Sequence, residues 1–401
     1  MSVVEKSKTD IFEKAHAFTR AREAQAMGIY PYFIPYEDSE GTTVRYQGRE
    51  IIMLGANNYL GLTTHPKVRE AAVAAIHRFG TGCTGSRFQN GTLSIHVELE
   101  KRLADWVGKE SALVFATGYQ TNLGTISALV GRGDVAVTDK EDHASIIDGC
   151  IMAFGEMRRF KHNDMEDLDR VLGKVEDEAG KLVVVDGIYS VGGEIAPLPD
   201  IIPIVEKHSA RLMVDDAHSL GVLAAGRGTA AHFGVTDKVD LIMGTFSKSF
   251  ASVGGFIAGE DQVIHYIQHH ARSMIFSAAL PAPNVATVLA TLDVMEKEPE
   301  YVERLWENYR FMKKGLEELG FNIGNTQSPI IPIIIGDEMR TIFFWKALFD
   351  EGLFTNAFVP PGVPPNMSLL RTSYMATHTK DQLSKALSIL EVVGKRMDII
   401  S

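Results

Sequence analysis

The segment DLIMGTFSKSFASVGGFIAG, residues 240–259, sets one lysine, Lys248, in a run of Gly, Thr and Ser between two apolar stretches. An amine held out of water loses part of its protonation, because burial disfavours the charged form, and its lone pair can then condense with a carbonyl. A lysine after a strand is more often a solvated loop residue, so the neighbours must decide. Gly244, Thr245, Ser247 and Ser249 offer small side chains, hydroxyls and accessible backbone NH groups, which suit a phosphate oxygen. A second such stretch, ATGYQTN at 116–122, lies between the strand-like SALVF and a helical run, so Thr117, Gly118 and Tyr119 present NH groups at a helix N-terminus. Gly118 alone would read as a turn glycine.

Two phosphate-binding loops and one lysine point to a phosphorylated aldehyde, pyridoxal 5'-phosphate. That cofactor needs a carboxylate opposite its ring nitrogen, so that the nitrogen stays protonated and draws electrons. Asp215, in LMVDDAHS at the end of an apolar run, meets this need, and His218 three residues on can reach the phenolic oxygen. Asp216 reads as a strand-end acid facing its own backbone or solvent. An aromatic partner for the ring face is available in His143, within DKEDHASIIDG after DVAVTD.

These residues must be carried by a sheet. SALVFA, DVAVTD, KLVVVD ending at Asp186, RLMVDD and VDLIMGT are short, apolar and rich in branched residues, as strands buried on both faces are. They alternate with helical runs, the rhythm of an α/β domain with a largely parallel sheet. Ligands in such sheets sit beyond the carboxyl ends of the strands, so the polar ends should line one crevice. Before them, IFEKAHAFTRAREAQAMG predicts a helix ended by Gly28, YPYFIPY an extended arm, and TTVRYQGREIIML a hairpin around Gln47 and Gly48. After about residue 290 long helices, the strand-like PIIPIIIG and a closing helix after THTKDQ predict a smaller α+β domain; VPPGVPP at 359–365 reads as a rigid loop. The expected boundaries are 1–50 for the N-terminal helix and arm, 51–289 for the large domain and 290–401 for the small one.

The bulk numbers agree with a cytosolic enzyme of small molecules. The chain has 401 residues, 45% hydrophobic and 23% charged, with a formal net charge of -11, which argues against a nucleic-acid partner. The start of the chain is charged throughout and no run has the length and apolarity of a membrane span. Cys83 and Cys150 read as small buried residues in a reducing compartment. His269 and His270 have no third ligand at metal spacing, so no metal site is expected and a surface or interface role is favoured.

The ordered segments NNYLGL, TGYQTN, DHASIIDG, VDDAHSLGV, GTFSKS, FSAALP and LLRTSYMATHT resemble those of the α-oxoamine synthases, from about residue 25 to the C-terminus. The resemblance implies the fold-type I PLP-dependent transferase fold, aspartate aminotransferase-like. It makes Lys248 the lysine that holds the cofactor aldehyde, and makes Asp215 and His218 the partners of ring nitrogen and phenolic oxygen. His143 would stack on the ring and contact the amino-acid carboxylate, with Ser190 beside the ring. Gly118, Tyr119, Thr245 and Ser247 would hold the phosphate or its approach, and Arg371 would grip the substrate carboxylate. Asn57, or Asn58 if the register differs by one, would approach the substrate. Ser277 would reach the phosphate of the neighbouring subunit, which implies a homodimer with shared active sites. GTFSKS, GTGCTGSRFQNGTL and MATHT point to the branch that joins L-serine to a long-chain acyl-CoA with loss of CO2, giving 3-ketodihydrosphingosine; alanine or glycine as amino acid is the alternative. Contact with a membrane surface while collecting the lipid substrate is compatible with this reading.

Overall fold

The computed structural model describes residues 10–401; the first nine residues of the expected N-terminal segment lie outside them. The stretch predicted as one helix forms two short ones, α1 (Glu13–His16) and α2 (Arg20–Ala26). Neither buries a side chain, and Ile11, Phe12, Phe18 and Met27 remain exposed. Only Ala21 and Ala24 are half-buried and Arg20 pairs with Glu338, so a helix this short has few contacts to hold a continuous turn through Ala17–Thr19. Gly28 follows the second helix at φ 70°, the left-handed conformation that ends helices. The strands β1 (Asp38–Ser39), β2 (Thr43–Tyr46) and β3 (Arg49–Met53) come next. β2 and β3 form the expected hairpin, whose two turn residues Gln47 and Gly48 both have positive φ, 50° and 72°, as a tight hairpin turn requires.

After helices α3 (Pro66–Phe79) and α4 (Ser94–Val107) the chain builds a seven-stranded sheet. Its elements are β4 (Ser111–Phe115), α5 (Gly118–Leu129), β5 (Val135–Asp139), α6 (Ala144–Met152), β6 (Glu156–Phe160), β7 (Lys181–Asp186), β8 (Arg211–Asp215), β9 (Leu241–Thr245) and β10 (Gly255–Gly259). The order is β4-β10-β9-β8-β7-β5-β6. The last five are parallel, and β10 runs antiparallel to both β4 and β9. β5 and β9 are buried along their whole length, while β6, at the edge, keeps Glu156, Arg158 and Arg159 out of the core. Charged residues on an edge strand discourage further pairing. Because β4, β5, β7, β8 and β9 point the same way, Asp139, Asp186, Asp215 and Thr245 all arrive at one rim of the sheet.

A second layer is made by β11 (Ile330–Gly336), β12 (Leu353–Phe354), β13 (Asn356–Phe358) and β14 (Ser368–Ser373). β11-β14-β13 is an antiparallel sheet, and β12 pairs in parallel with β3, so the N-terminal hairpin packs with the C-terminal layer. Ile51, Ile52, Met53 and Leu54 share an apolar cluster with Ile331, Phe344, Trp345 and Leu390. The helix Glu300–Glu318 spans both cores, with Leu305 in the large one and Tyr309, Met312 and Leu316 in the small one. The closing helix Lys380–Arg396 starts at a reciprocal cap, Thr379 and Gln382 each bonded to the other's backbone NH.

Candidate active site

Beyond the rim of the large sheet lies a cavity of about 300 Å3, lined among others by Gly118, His143, Asp186, Asp215, His218 and Lys248. It is bounded on one side by the start of α5. Thr117 caps that helix, its hydroxyl accepting from the Gln120 NH at 3.1 Å. A Cβ on Gly118 would lie 2.5 Å from Thr245 Oγ1, so only glycine lets the helix N-terminus approach the end of β9. Thr245 Oγ1 is in turn 3.0 Å from Ser247 Oγ and donates to the Gly254 carbonyl at 3.1 Å. The two phosphate-friendly segments recognised in the sequence therefore form one wall.

Asp215 ends β8 and is 4% exposed. Its Oδ1 accepts from the Ala217 NH at 3.0 Å and its Oδ2 from Asn122 Nδ2 at 2.7 Å. Asn122 gives its other hydrogen to Ser145 Oγ at 2.8 Å, and Ser145 bonds His143 Nδ1 at 2.7 Å. His143 caps α6 and its Nδ1 also accepts from the Ser145 NH. The network therefore assigns Nδ1 as acceptor and the ring proton to Nε2, and burial lowers the imidazole's pKa in the same sense. His218 is held by a second network. Its Nδ1 lies 2.7 Å from the Tyr59 hydroxyl, whose oxygen accepts from Arg371 Nη2 at 3.3 Å. At 2.7 Å, against 3.5 Å to Asn57 Oδ1, Nδ1 is the better acceptor for the tyrosine hydrogen, which leaves Nε2–H of His218 as a donor. Burial pushes His218 well below the usual imidazole range.

Lys248 lines the same cavity. Burial lowers its amine to about 8, against the opposing pull of Asp215 and Asp186. Arg371 comes from β14 in the other layer and is only 3% exposed. Nε donates to the Ser190 carbonyl at 2.5 Å and Nη2 to Asn57 Oδ1 at 2.9 Å. No carboxylate lies within ion-pair distance of it among the described residues. A buried guanidinium without a counter-charge is a site for an anion. Between the two asparagines, Asn57 touches Arg371 whereas Asn58 closes its own turn on Thr63 at 2.8 Å.

Other sequence candidates sit at the periphery. Ser190 meets the site through its carbonyl, which orients Arg371. Tyr119 is 43% exposed and its hydroxyl bonds Asp148. Ser277 lies outside the cavity, accepting from Gln120 Nε2 at 3.2 Å. Asp216 faces away from the cavity and takes the Thr229 NH at 3.0 Å; it is fully buried, so of its two expected settings the backbone holds and solvent does not. Cys150 is buried, whereas Cys83 is only partly so, and neither is paired. His269 and His270 bond carbonyls of their own helix, and no metal-ligand cluster occurs among the described residues. Asn122, Ser145, Tyr59 and Asp186 were not singled out for the site. Tyr59, Asn122 and Ser145 lie inside the motif segments NNYLGL, TGYQTN and DHASIIDG, and Asp186 is a strand-end acid parallel to Asp215, so each left a signal in the sequence without a role attached.

A desolvated lysine, a carboxylate anchored in the same cavity, a neutral imidazole on a helix cap and a helix N-terminus against a Thr/Ser loop fit pyridoxal phosphate group by group. Fold and site define a fold-type I PLP-dependent enzyme. The chain belongs to the aminotransferase class I and II family, which matches residues 49–390, and within it to the α-oxoamine synthases. It is 49% identical to the serine palmitoyltransferase of Sphingobacterium spiritivorum, across 98% of this chain and 99% of that one. It is 40% identical to the 8-amino-7-oxononanoate synthase of Thermoanaerobacter pseudethanolicus, across 95% and 97%. Among solved structures, a variant of serine palmitoyltransferase from S. paucimobilis with a bound PLP–myriocin aldimine superposes with a TM-score of 0.95 at 37% identity, covering 98% of this chain and 100% of that one.

Proposed function

We propose that this enzyme is a serine palmitoyltransferase, joining L-serine to a long-chain acyl-CoA such as palmitoyl-CoA with release of CO2 and CoA to give 3-ketodihydrosphingosine. The observation that carries the reading is the convergence of Lys248, Asp215, His143 and His218 on one cavity overlooked by the uncompensated Arg371, in a chain almost half identical to a serine palmitoyltransferase.

Bound pyridoxal phosphate supplies an aldehyde for exchange with amines and a conjugated ring that takes up negative charge from an amino-acid α-carbon. Lys248 would hold that aldehyde and, when its amine is free, would take the α-proton on Nζ; with its pKa lowered to about 8, more of the amine is neutral at working pH than for an ordinary lysine. Asp215 keeps the ring nitrogen protonated, and the Asn122 and Ala217 donors keep Asp215 in place. His218 donates from Nε2 toward the phenolic oxygen. The NH groups of Gly118 and Tyr119, with Thr245 and Ser247, receive the phosphate. Arg371 grips the serine carboxylate beside Asn57, and His143 donates to it from Nε2. Fixing that carboxylate selects which bond of the α-carbon breaks, a positional contribution of about several kcal/mol.

The active unit in this reading is a homodimer in which Ser277 serves the neighbouring subunit's phosphate. The neighbouring Ile151, Met152 and Phe154, at the end of α6, are all exposed and support it as a short apolar stretch for a partner to cover. The unpaired cysteines support a cytoplasmic location, with contact to the membrane face where lipid substrate is taken up. No helix among the described residues is long and apolar enough to cross a membrane. The test is titration of the cofactor-loaded protein with serine, alanine and glycine, followed by turnover across acyl-CoA lengths. Serine should perturb the cofactor absorbance and support condensation; a response to alanine or glycine but not serine would reject the assignment.

A further inference from the structure

Asp186 is the one buried acid facing the cavity to which the chemistry above gives no task. It ends β7, and its Cα partner across the parallel ladder is Asp215 itself. The side chain is buried, with the residue 2% exposed, and Oδ2 has no hydrogen-bond partner in the protein. The residue's NH is already held by Asp142 Oδ1 at 3.0 Å, so this part of the backbone is satisfied while the carboxyl is not. Asp186 lines the ligand cavity, and a buried polar atom without a partner is costly unless a ligand completes it.

The groups around it set its ionisation. Asp215 on the adjacent strand, Asp142 before α6 and Asp139 at the end of β5 act on it as like charges, and Lys248 as an opposing cation; Tyr189 is a further neighbour, against which lies His162, paired with Asp139. Lys248 forms no ion pair with Asp186, and its amine is itself shifted toward neutrality. Asp215 has two firm donors, the Asn122 amide and the Ala217 NH, whereas none reaches Asp186 Oδ2. Two carboxylates side by side in a dry site do not both ionise, and the charge settles on the one with donors.

We propose that Asp186 is carried as its neutral carboxylic acid and donates a hydrogen bond from its carboxyl group to an acceptor oxygen of the bound cofactor, acting as a positioning residue beside Asp215. Burial, with the Asp215 and Asp142 carboxylates, pushes its pKa well above the usual range, in line with this. The arrangement leaves one negative charge rather than two facing the protonated ring nitrogen, and turns the second acid into a donor. The inference rests on pyridoxal phosphate filling the cavity but not on serine being the amino acid.

The test uses full-length protein with Asp186→Asn, which keeps a neutral donor of the same size, and Asp186→Ala, which removes it. Infrared difference spectra of the loaded enzyme in H2O and D2O should show a protonated-carboxyl C=O band in the wild type that D186N lacks. Cofactor dissociation constants should stay within about threefold of wild type for D186N and weaken about tenfold or more for D186A. Thermal melts of the apo-proteins separate a binding defect from failure to fold; if D186A does not fold, the infrared band still decides. An unchanged acid band in D186N, equal weakening by Asn and Ala, or wild-type binding by D186A would each overturn the proposal. Normal cofactor binding with no turnover of serine would overturn the substrate assignment and leave this one standing.

Discussion

Asn122 Nδ2 lies 2.7 Å from Asp215 Oδ2, and its second hydrogen goes to Ser145, which fixes His143. One amide on α5 thereby couples the acid assigned to the ring nitrogen with the imidazole assigned to the ring face. Asn122→Ala should raise the cofactor dissociation constant about tenfold, the effect of leaving a buried charged acceptor one donor short. Asn122→Asp should be worse, since it sets a carboxylate against Asp215. Equilibrium titration of apo-protein by absorbance measures both.

Lys248, with its pKa lowered to about 8, predicts how the apo-protein reacts with the aldehyde. The nucleophile is the neutral amine, so the rate should climb with pH and reach half its maximum near pH 8. An ordinary lysine would still be climbing at about pH 10. Lys248→Ala should abolish borohydride trapping of the cofactor and lower turnover by at least about a thousandfold. Stopped-flow absorbance and mass spectrometry of the reduced protein check the two statements.

Arg371→Ala should raise the KM for serine by about 10- to 100-fold, the range for a lost charge-assisted hydrogen bond in a buried site. Arg371→Lys should restore only part of this. A lysine has no planar fork with which to hold Ser190, Asn57 and a carboxylate together. Steady-state kinetics with serine varied at saturating acyl-CoA measures it.

His378, in the MATHT string, is buried, with Nδ1 accepting from the Met375 NH at 2.9 Å. Burial lowers its pKa from 6.5 to about 4. Between those values the unfolded chain binds the proton and the folded chain does not, so stability rises with pH through this window. The contribution is fully present above about pH 6.5 and is lost on acidification to about pH 4, amounting to about 3 kcal/mol. Chemical denaturation across that range, compared with His378→Gln, should show the slope flatten in the variant.

Phe154 and Phe276 are 77% and 74% exposed. If the active unit is a dimer, the double replacement by Asp should yield a monomer in sedimentation velocity with sharply reduced turnover. The isolated fold should survive, because neither side chain contributes to a core.

Much of the site can be read without coordinates because its groups lie in short contiguous stretches. GTFSKS, LMVDDAHS, DHASIIDG and ATGYQTN each carry an apolar run that dictates a buried strand or helix beside the polar residues that follow it, so strand-end chemistry is locally encoded. The hairpin at Gln47 and Gly48 is legible for the same reason. The failed single helix before Gly28 shows the limit, since its spacing is helical but no side chain of either short helix is fully buried.

What the amino-acid order determined by itself was therefore the class of chemistry: the lysine, the acid, the imidazoles and the phosphate loops, with the parallel sheet that aligns them. Tertiary structure alone decided the pairings between distant segments. Arg371 meets Ser190 and Asn57 across 181 and 314 residues, Asn122 meets Asp215 across 93, and Asp186 stands beside Asp215 through strand register. Local periodicity specifies which face of an element is buried. It carries no information on which other element supplies the hydrogen-bond partner, so the contact of Arg371 with Asn57, and not with Asn58, emerges only when both layers pack.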